Sequence, residues 1–438
     1  MRIMRIVNVT PHDHSDEFKR NIEPSVAVNP LNPDEMVITA FTFKEDANPK
    51  SVYYFSVDGG ETWGAVFGIP GELAQDPSPS FAQASSQLYL GTLLLRSADY
   101  YVLRSSDRKL DAKIIKANGD ADQPWAEATT VIGGPDNGKD RLYVGYNDDG
   151  AATVDVFPDA AQPVPTFTPI VLDPRNPPEG NGPEIRTVVH GDGTVYVAYK
   201  SLHFFDPKEN SIADLVVARD DNWGAGLGGA PFTNLKDPVD GLSGRRVAIA
   251  VPIHGGNLGG VRLNNDCNIA VDPTNSSVVY LTWCDNTTSD YTLRVRKSTN
   301  RGVDWSDDLL TVPNATLATM TINSGGTVGL MYQQLVSKKM ETHFRTTNNG
   351  GRWDDTLMAR TKPSPKFAGD YGRLVTVGLD FYGSFPAMNS PDPRNFFPNG
   401  GGTVRFQRNT RGKFLIGLDG RTRIPESVDL FFVKVLEQ

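Results

Sequence analysis

Ser56-Val57-Asp58-Gly59-Gly60-Glu61-Thr62-Trp63 is the stretch whose reading decides the fold. It spells S-x-D-x-G-x-T-W, and each fixed position has a task in a tight turn. The Asp side chain accepts backbone N–H groups, the glycine takes the positive φ that such a turn demands, and the tryptophan packs against the sheet that the turn leaves. Two further copies carry conservative departures: Ser298-Thr299-Asn300-Arg301-Gly302-Val303-Asp304-Trp305 and Thr346-Thr347-Asn348-Asn349-Gly350-Gly351-Arg352-Trp353. Ser105-Ser106-Asp107-Arg108-Lys109 and Arg219-Asp220-Asp221-Asn222-Trp223 read as decayed copies. The residues of this signature (Ser56, Asp58, Gly60, Trp63; Ser298, Asn300, Gly302, Trp305; Asn348, Gly350, Trp353) are structural and bring no catalytic group.

Working outward, each turn follows a pair of short strands rich in Val, Ile and Tyr. The pairs fall at 24–28 and 36–40, 79–82 and 88–91, 124–127 and 142–146, 185–189 and 195–199, 268–271 and 279–283, 317–321 and 328–332, and 374–377 and 381–385. Strands of this composition, separated by Asn, Asp, Gly and Pro at a spacing near 40 to 50 residues, are the mark of a β-propeller. Counting the hairpins predicts an all-β, seven-bladed β-propeller over 1–438 as one domain, with six blades as the alternative. Arg2 to Val9 and Asp429 to Val435 are both strand-like and suited to close the ring, and 224–260 is a long Gly- and Pro-rich insertion between the fourth and fifth hairpins.

With the turns and the hairpins in register, the chain resembles the Asp-box (BNR-repeat) propellers of the sialidase-like superfamily. That group includes sialidases, some glucanases, sortilin-type receptors and a photosystem assembly factor. The resemblance spans nearly the whole chain and implies the fold; it does not imply one activity, because the same scaffold carries hydrolases, binders and assembly proteins.

Composition narrows the partners. With 42 Gly and 31 Pro in 438 residues the chain is turn-rich, and a net charge of −9 offers no basic footprint for nucleic acid. No run of 18 apolar residues exists, so no membrane insertion is expected, and the strand-like start lacks the apolar stretch of a signal peptide. The compartment stays open between the cytoplasm and export by another route. Cys267 and Cys284 sit symmetrically about a turn, which leaves a cross-strand disulfide and a pair of buried thiols as alternatives. The six histidines show no ligand spacing and no metal site is assigned; no cofactor is expected, with a structural cation in the channel or loops as the one allowance. Asn118-Gly119-Asp120-Ala121-Asp122 lacks the spacing of a calcium loop and reads as a turn.

In a propeller the starts of the first strands converge on one mouth of the central channel. Those positions here are Glu23, Asp76, Asp122, Glu184, Asp266 and Asp370, with Arg20, Trp125, Arg186, Arg262, Tyr371 and Arg373 close by. A ring of carboxyls is able to supply the acid and base of a glycosidase, or to serve only as backbone acceptors at strand starts. The resemblance to sialidases implies more: Gly369-Asp370-Tyr371-Gly372-Arg373 matches the place of their tyrosine nucleophile, with Glu184 as its partner, Asp370 as an acid, and Arg186 and Arg373 as two of three carboxylate-binding arginines. The first arginine is missing. Sialidases carry it in Arg-Ile-Pro, where this chain has Ile22-Glu23-Pro24, and Arg423-Ile424-Pro425 falls at the wrong end.

Two readings follow. The first is a non-catalytic or weakly catalytic propeller that binds a glycan or a protein surface through Glu23, Asp76, Asp122, Trp125, Arg186, Arg262 and Arg373. The alternative is a glycoside hydrolase using the mouth carboxyls and Tyr371.

Overall fold

A computed structural model describes residues 2–42, 52–67, 74–94, 99–105, 113–117, 121–264 and 266–437. The decayed turn after Ser105 and residues 118–120 lie outside the described residues. All regular structure is β apart from two short 3-10 turns, His12–His14 and Pro393–Asn395.

Among the described residues, seven sheets of four or five strands succeed one another. Their first strands are Asn21–Val28, Ala74–Phe81, Ala121–Thr130, Arg186–Val189, Cys267–Asp272, Ala315–Ile322 and Arg373–Val377. Each of the first six sheets is an antiparallel meander. The first strand of each sheet packs beside the first strand of the next, and that of the seventh packs beside that of the first. The sheets therefore form a ring around a channel. The seventh sheet combines both ends of the chain: Val428–Glu437 pairs antiparallel with Asp380–Met388 on one side and with Arg2–Asn8 on the other, and Thr403–Phe406 adds a parallel edge.

The core is a set of apolar layers between neighbouring sheets. Sheets one and seven, for example, bury Val26, Ile38, Tyr54 and Trp63 against Tyr382, Leu430 and Phe432. Side chains also bridge sheets: Ser78 Oγ accepts from Ala126 N (3.0 Å), Asn268 Oδ1 from Met320 N (3.0 Å) and Thr319 Oγ1 from Leu374 N (3.1 Å). Each bond satisfies an N–H on the edge of a first strand that faces the channel instead of a further strand, so the ring leaves few orphan donors.

The turn signatures are built as their chemistry requires in the first and fifth sheets. Asp58 Oδ1 accepts from Thr62 N (2.9 Å) and Ser56 Oγ (2.8 Å), Ser56 Oγ accepts from Gly60 N (2.9 Å), and Trp63 Nε1 donates to Gly60 O (3.2 Å). Gly60 has φ of 84°, and a Cβ there would stand 2.2 Å from the Phe432 ring. Ser298, Asn300, Gly302 and Trp305 repeat the same bonds. The third copy departs: Thr347 Oγ1 takes the Gly350 N–H (3.1 Å), and Asn348 accepts from Thr327 (3.1 Å) outside the turn. The decayed copy in the fourth sheet is real but shifted by one residue. Asp220 stands in the serine position and accepts from Asn222, Gly224, Gly226 and Phe232 N–H groups, all between 2.8 and 3.0 Å.

One expectation changes, and one open alternative is decided. The segment 224–260 is only partly an insertion, because Arg245–Ile253 within it is the outermost strand of the fourth sheet. No disulfide forms between Cys267 and Cys284; both are buried free thiols. Register explains it: Cys267 lies opposite Trp283, so Cys284 points to the other face of the sheet. Burial pushes the Cys267 thiol up to about 12, leaving it inert at neutral pH.

Candidate functional site

The mouth of the channel is shaped by one repeated backbone device. In sheets one, two, three and six the first strand breaks register between Ile22 and Ser25, Gln75 and Ser78, Asp122 and Trp125, and Thr316 and Thr319. Within each break one residue takes a left-handed conformation: Glu23 (φ 55°), Asp76 (47°), Gln123 (49°) and Leu317 (54°). Left-handed backbone is costly for residues other than glycine, and strand bulges commonly re-aim a side chain. In three of the four, a proline follows and denies the next position an N–H for the ladder, which is why the ladder breaks there.

Glu23 and Asp76 thereby meet, buried, and share a hydrogen bond. Burial, together with the charges of Asp370 and Asp76, holds the Glu23 carboxyl well above the usual range. Burial, Asp122 and Asp370 push Asp76 up to about 7. Like charges this close cannot both ionise, so the pair retains a proton at neutral pH. Asp370 approaches from the seventh sheet after Gly369, which has φ of 102° and where a Cβ would stand 2.9 Å from Glu23 N. Arg262 covers Asp370 in an ion pair and rests its guanidinium over Phe367 (5.6 Å). Asp122 is exposed, yet the protein atoms crowded around its carboxyl and the charge of Asp370 raise its pKa.

Tyr371 links this acidic layer to the layer below. Its hydroxyl donates to Asp76 Oδ1 (3.1 Å), and its ring meets Trp125 edge-on at 6.3 Å. Trp125 in turn carries the guanidiniums of Arg186 and Arg373 at 4.4 and 4.6 Å from its ring centroid. Arg373 donates to Ser78 Oγ, Pro79 O, Ala126 O and Glu127 Oε2 (2.6 to 3.2 Å), and Arg186 donates to Gln123 Oε1 (2.9 Å).

Several assignments change with this geometry. Glu184 does not pair with Tyr371; it is fully buried in an ion pair with Lys200 (2.7 Å), and Asp76 takes the tyrosine hydroxyl. Arg186 and Arg373 do come together, but Trp125 and Tyr371 cover them from the mouth, whereas Arg262 is engaged elsewhere. Among the described residues, no three-arginine clamp faces the mouth. Asp266 is a strand-start acceptor, receiving Ala318 N (3.1 Å), Thr316 Oγ1 (2.8 Å) and Tyr291 OH (3.0 Å). Sequence reasoning passed over Gln123, the third member of the left-handed set. Its signal was the shared residue-before-proline pattern of Glu23-Pro24, Asp76-Pro77 and Gln123-Pro124.

A cavity of about 220 Å3 is lined by Asp122, Lys200, Phe205, Glu209, Arg262 and Asn264, among others, and so shares Arg262 with Asp370. Phe205 is 44% exposed at its edge. Among the described residues, no group of three or more His, Cys, Asp or Glu side chains is placed to hold a metal ion, and no helix is long and apolar enough to cross a membrane.

No protein-family model matches the sequence, and none of the curated proteins is similar to it. Among solved structures, the chain is similar to a protein of unknown function from Dyadobacter fermentans (11% identity, 99% of this chain and 98% of that one, TM-score 0.49). It is also similar to the GH74 enzyme of Niastella koreensis (13% identity, 82% of this chain and 62% of that one, TM-score 0.43). A third is Chaetomium thermophilum Sqt1 bound to the N-terminus of ribosomal protein L10 (13% identity, 98% and 99%, TM-score 0.46).

Proposed function

We propose that the chain is a seven-bladed propeller of the Asp-box, sialidase-like kind that binds a glycan at the acidic mouth of its channel, without sialidase chemistry. The observation that carries this reading is the cavity framed by exposed Phe205, exposed Asp122 and half-exposed Arg262, whose partner Asp370 acts on a carboxyl pair that keeps a proton. A sugar ring needs an apolar face to stack on and polar groups of mixed sign for its hydroxyls, and this cavity offers both. Arg186 and Arg373, withdrawn behind Trp125, leave the mouth without the bidentate clamp that a sialic-acid carboxylate requires.

One observation favours hydrolysis as a second reading. A carboxyl raised to about 7, as in Asp76, is a proton donor matched to neutral pH, and Asp122 is an exposed carboxyl nearby. Glycan-array binding paired with a hydrolysis screen separates the two. For a binder, wild type retains a glycan without turnover, and Phe205→Ala and Asp122→Asn each weaken binding about tenfold, the ~1.4 kcal/mol of one good contact. Turnover that disappears in Asp76→Asn puts the hydrolase in its place. No glycan retained by wild type overturns both.

A further inference from the structure

One wall of the cavity framed by Asp122, Phe205 and Arg262 is aimed by a bulge. The second strand of the fourth sheet, Val195–Phe205, slips register against Ser211–Asp220 between Leu202 and Phe204, so that Leu202 lies opposite Ala213 and Phe205 opposite Ser211. The extra residue, His203, brings Phe205 onto the face that already carries Lys200 and Leu202, and all three line the cavity. His203 Nε2 lies 3.0 Å from Oδ1 of buried Asp214, which also accepts the Ala250 N–H (2.8 Å). An exposed aromatic ring is thereby held on the same wall as the charged groups.

Those charged groups do not balance. The lining carries two cations, Lys200 and Arg262, and two acids, Asp122 and Glu209. Each cation is already matched by an acid behind the wall: Lys200 by Glu184 (2.7 Å) and Arg262 by Asp370. The charges of Glu23 and Glu209 also act on Arg262, as it acts on Asp122, so one guanidinium is shared among several acids. Among the described residues neither Asp122 nor Glu209 has a cation of its own at ion-pair distance, and Lys208, beside Glu209 in sequence, acts on Asp206. The proton-sharing Glu23 and Asp76 pair keeps one further negative charge, which Arg186, against the Tyr371 ring, offsets. Behind the wall, fully buried Glu184 leaves Oε2 without a hydrogen-bond partner, 2.8 Å from where a Cβ of Gly182, another lining residue, would stand. The cavity is therefore negative even with every cation counted.

We infer, on the basis of the glycan reading above, that the sugar this cavity takes carries a free amine, as glucosamine does, with its ammonium facing Asp122 and Glu209 and its ring against Phe205. A neutral hydroxyl leaves both carboxylates uncompensated, whereas an ammonium gives them charge-assisted hydrogen bonds. The electron-rich face of Phe205 favours a cation for the same electrostatic reason.

Isothermal titration at pH 6, where the amine is protonated, compares a linear glucosamine trimer with its fully N-acetylated counterpart, which has the same rings and no charge. Wild type binds the glucosamine trimer at least about tenfold tighter. In Glu209→Gln and in Asp122→Asn that preference shrinks at least about threefold, and in Phe205→Ala both trimers weaken. Equal or weaker binding of the glucosamine trimer by wild type overturns the inference. If the acetylated trimer then still binds, and does so less well in Phe205→Ala, the glycan reading stands without the amine. If neither trimer binds and the array retains no glycan, both fall. Trilysine bound more tightly than the glucosamine trimer assigns the two acids to a cationic peptide and also overturns the inference.

Discussion

At the mouth of the channel Glu23 and Asp76 share a proton, while Arg186 and Arg373, at the starts of the first strands of the fourth and seventh sheets, lie against one tryptophan ring. The two layers handle buried charge by different means. The acidic layer lowers its charge by titration, because a carboxyl in a poorly solvated site simply keeps its proton. The basic layer has no such recourse, since a guanidinium remains ionised in a protein. It must be solvated by aromatic faces, carbonyls and a partner carboxylate, and Arg373 has all three whereas Arg186 lacks the last. The contrast teaches that pH acts on the mouth, whereas the floor responds to truncation.

The largest way to break the contrast is Arg373→Met. Four hydrogen bonds spanning sheets two, three and seven are lost, one of them the ion pair with Glu127, and Glu127, which burial already pushes up, is left without its cation. Removing one member of a buried pair of this kind costs about 3–5 kcal/mol. Denaturant unfolding reads the loss, and a cost below about 1 kcal/mol would show that the floor does not tie the ring together.

Next in size is Asp76→Asn, which tests the mouth. Asp76 has a folded-state pKa of about 7, above its unfolded value, so the folded protein binds more protons there between those limits. Stability from this group is therefore full below the unfolded pKa near 4 and falls as pH rises toward 7. The asparagine variant keeps an acceptor for Tyr371 but cannot ionise. Unfolding free energy measured from pH 4 to 8 flattens in the variant, which exceeds wild type by on the order of 2 kcal/mol at pH 8. An unchanged slope would mean that Asp76 is not the proton holder.

What was legible beforehand follows the same division between local and distant. The turn of Ser56 to Trp63 closes through bonds between residues two, three and four apart, so its letters state its structure. The copy at Thr346 to Trp353 has arginine in place of threonine at 352, and its turn bond moves to Thr347; the copy at Asp220 hides because an aspartate replaces the serine. The hairpin repeat was readable for the same local reason. The site was readable only as a set of residues. Tyr371 and Asp76 are 295 positions apart, and which acid receives the hydroxyl depends on how the left-handed Asp76 is turned inside its sheet. Glu184 carries the same charge in the sequence but finds Lys200 on the neighbouring strand of its own sheet. Likewise Cys267 and Cys284 are symmetric about their turn, and a single residue of register sends them to opposite faces.

The smallest expected effect joins the two layers. Tyr371→Phe keeps the ring against Trp125 and Arg186 and removes only the hydroxyl on Asp76. Loss of one hydrogen bond to a buried acceptor costs about 1 kcal/mol. Its sign with pH is the sharper test. The hydroxyl stabilises the ionised form of Asp76 and lowers its pKa, so without it the carboxyl titrates higher still. The cost in Tyr371→Phe therefore grows as pH rises through 7 and is least near pH 5, where Asp76 is protonated in both proteins. A cost that does not vary with pH would place the hydroxyl with the floor alone, and the two layers would be independent.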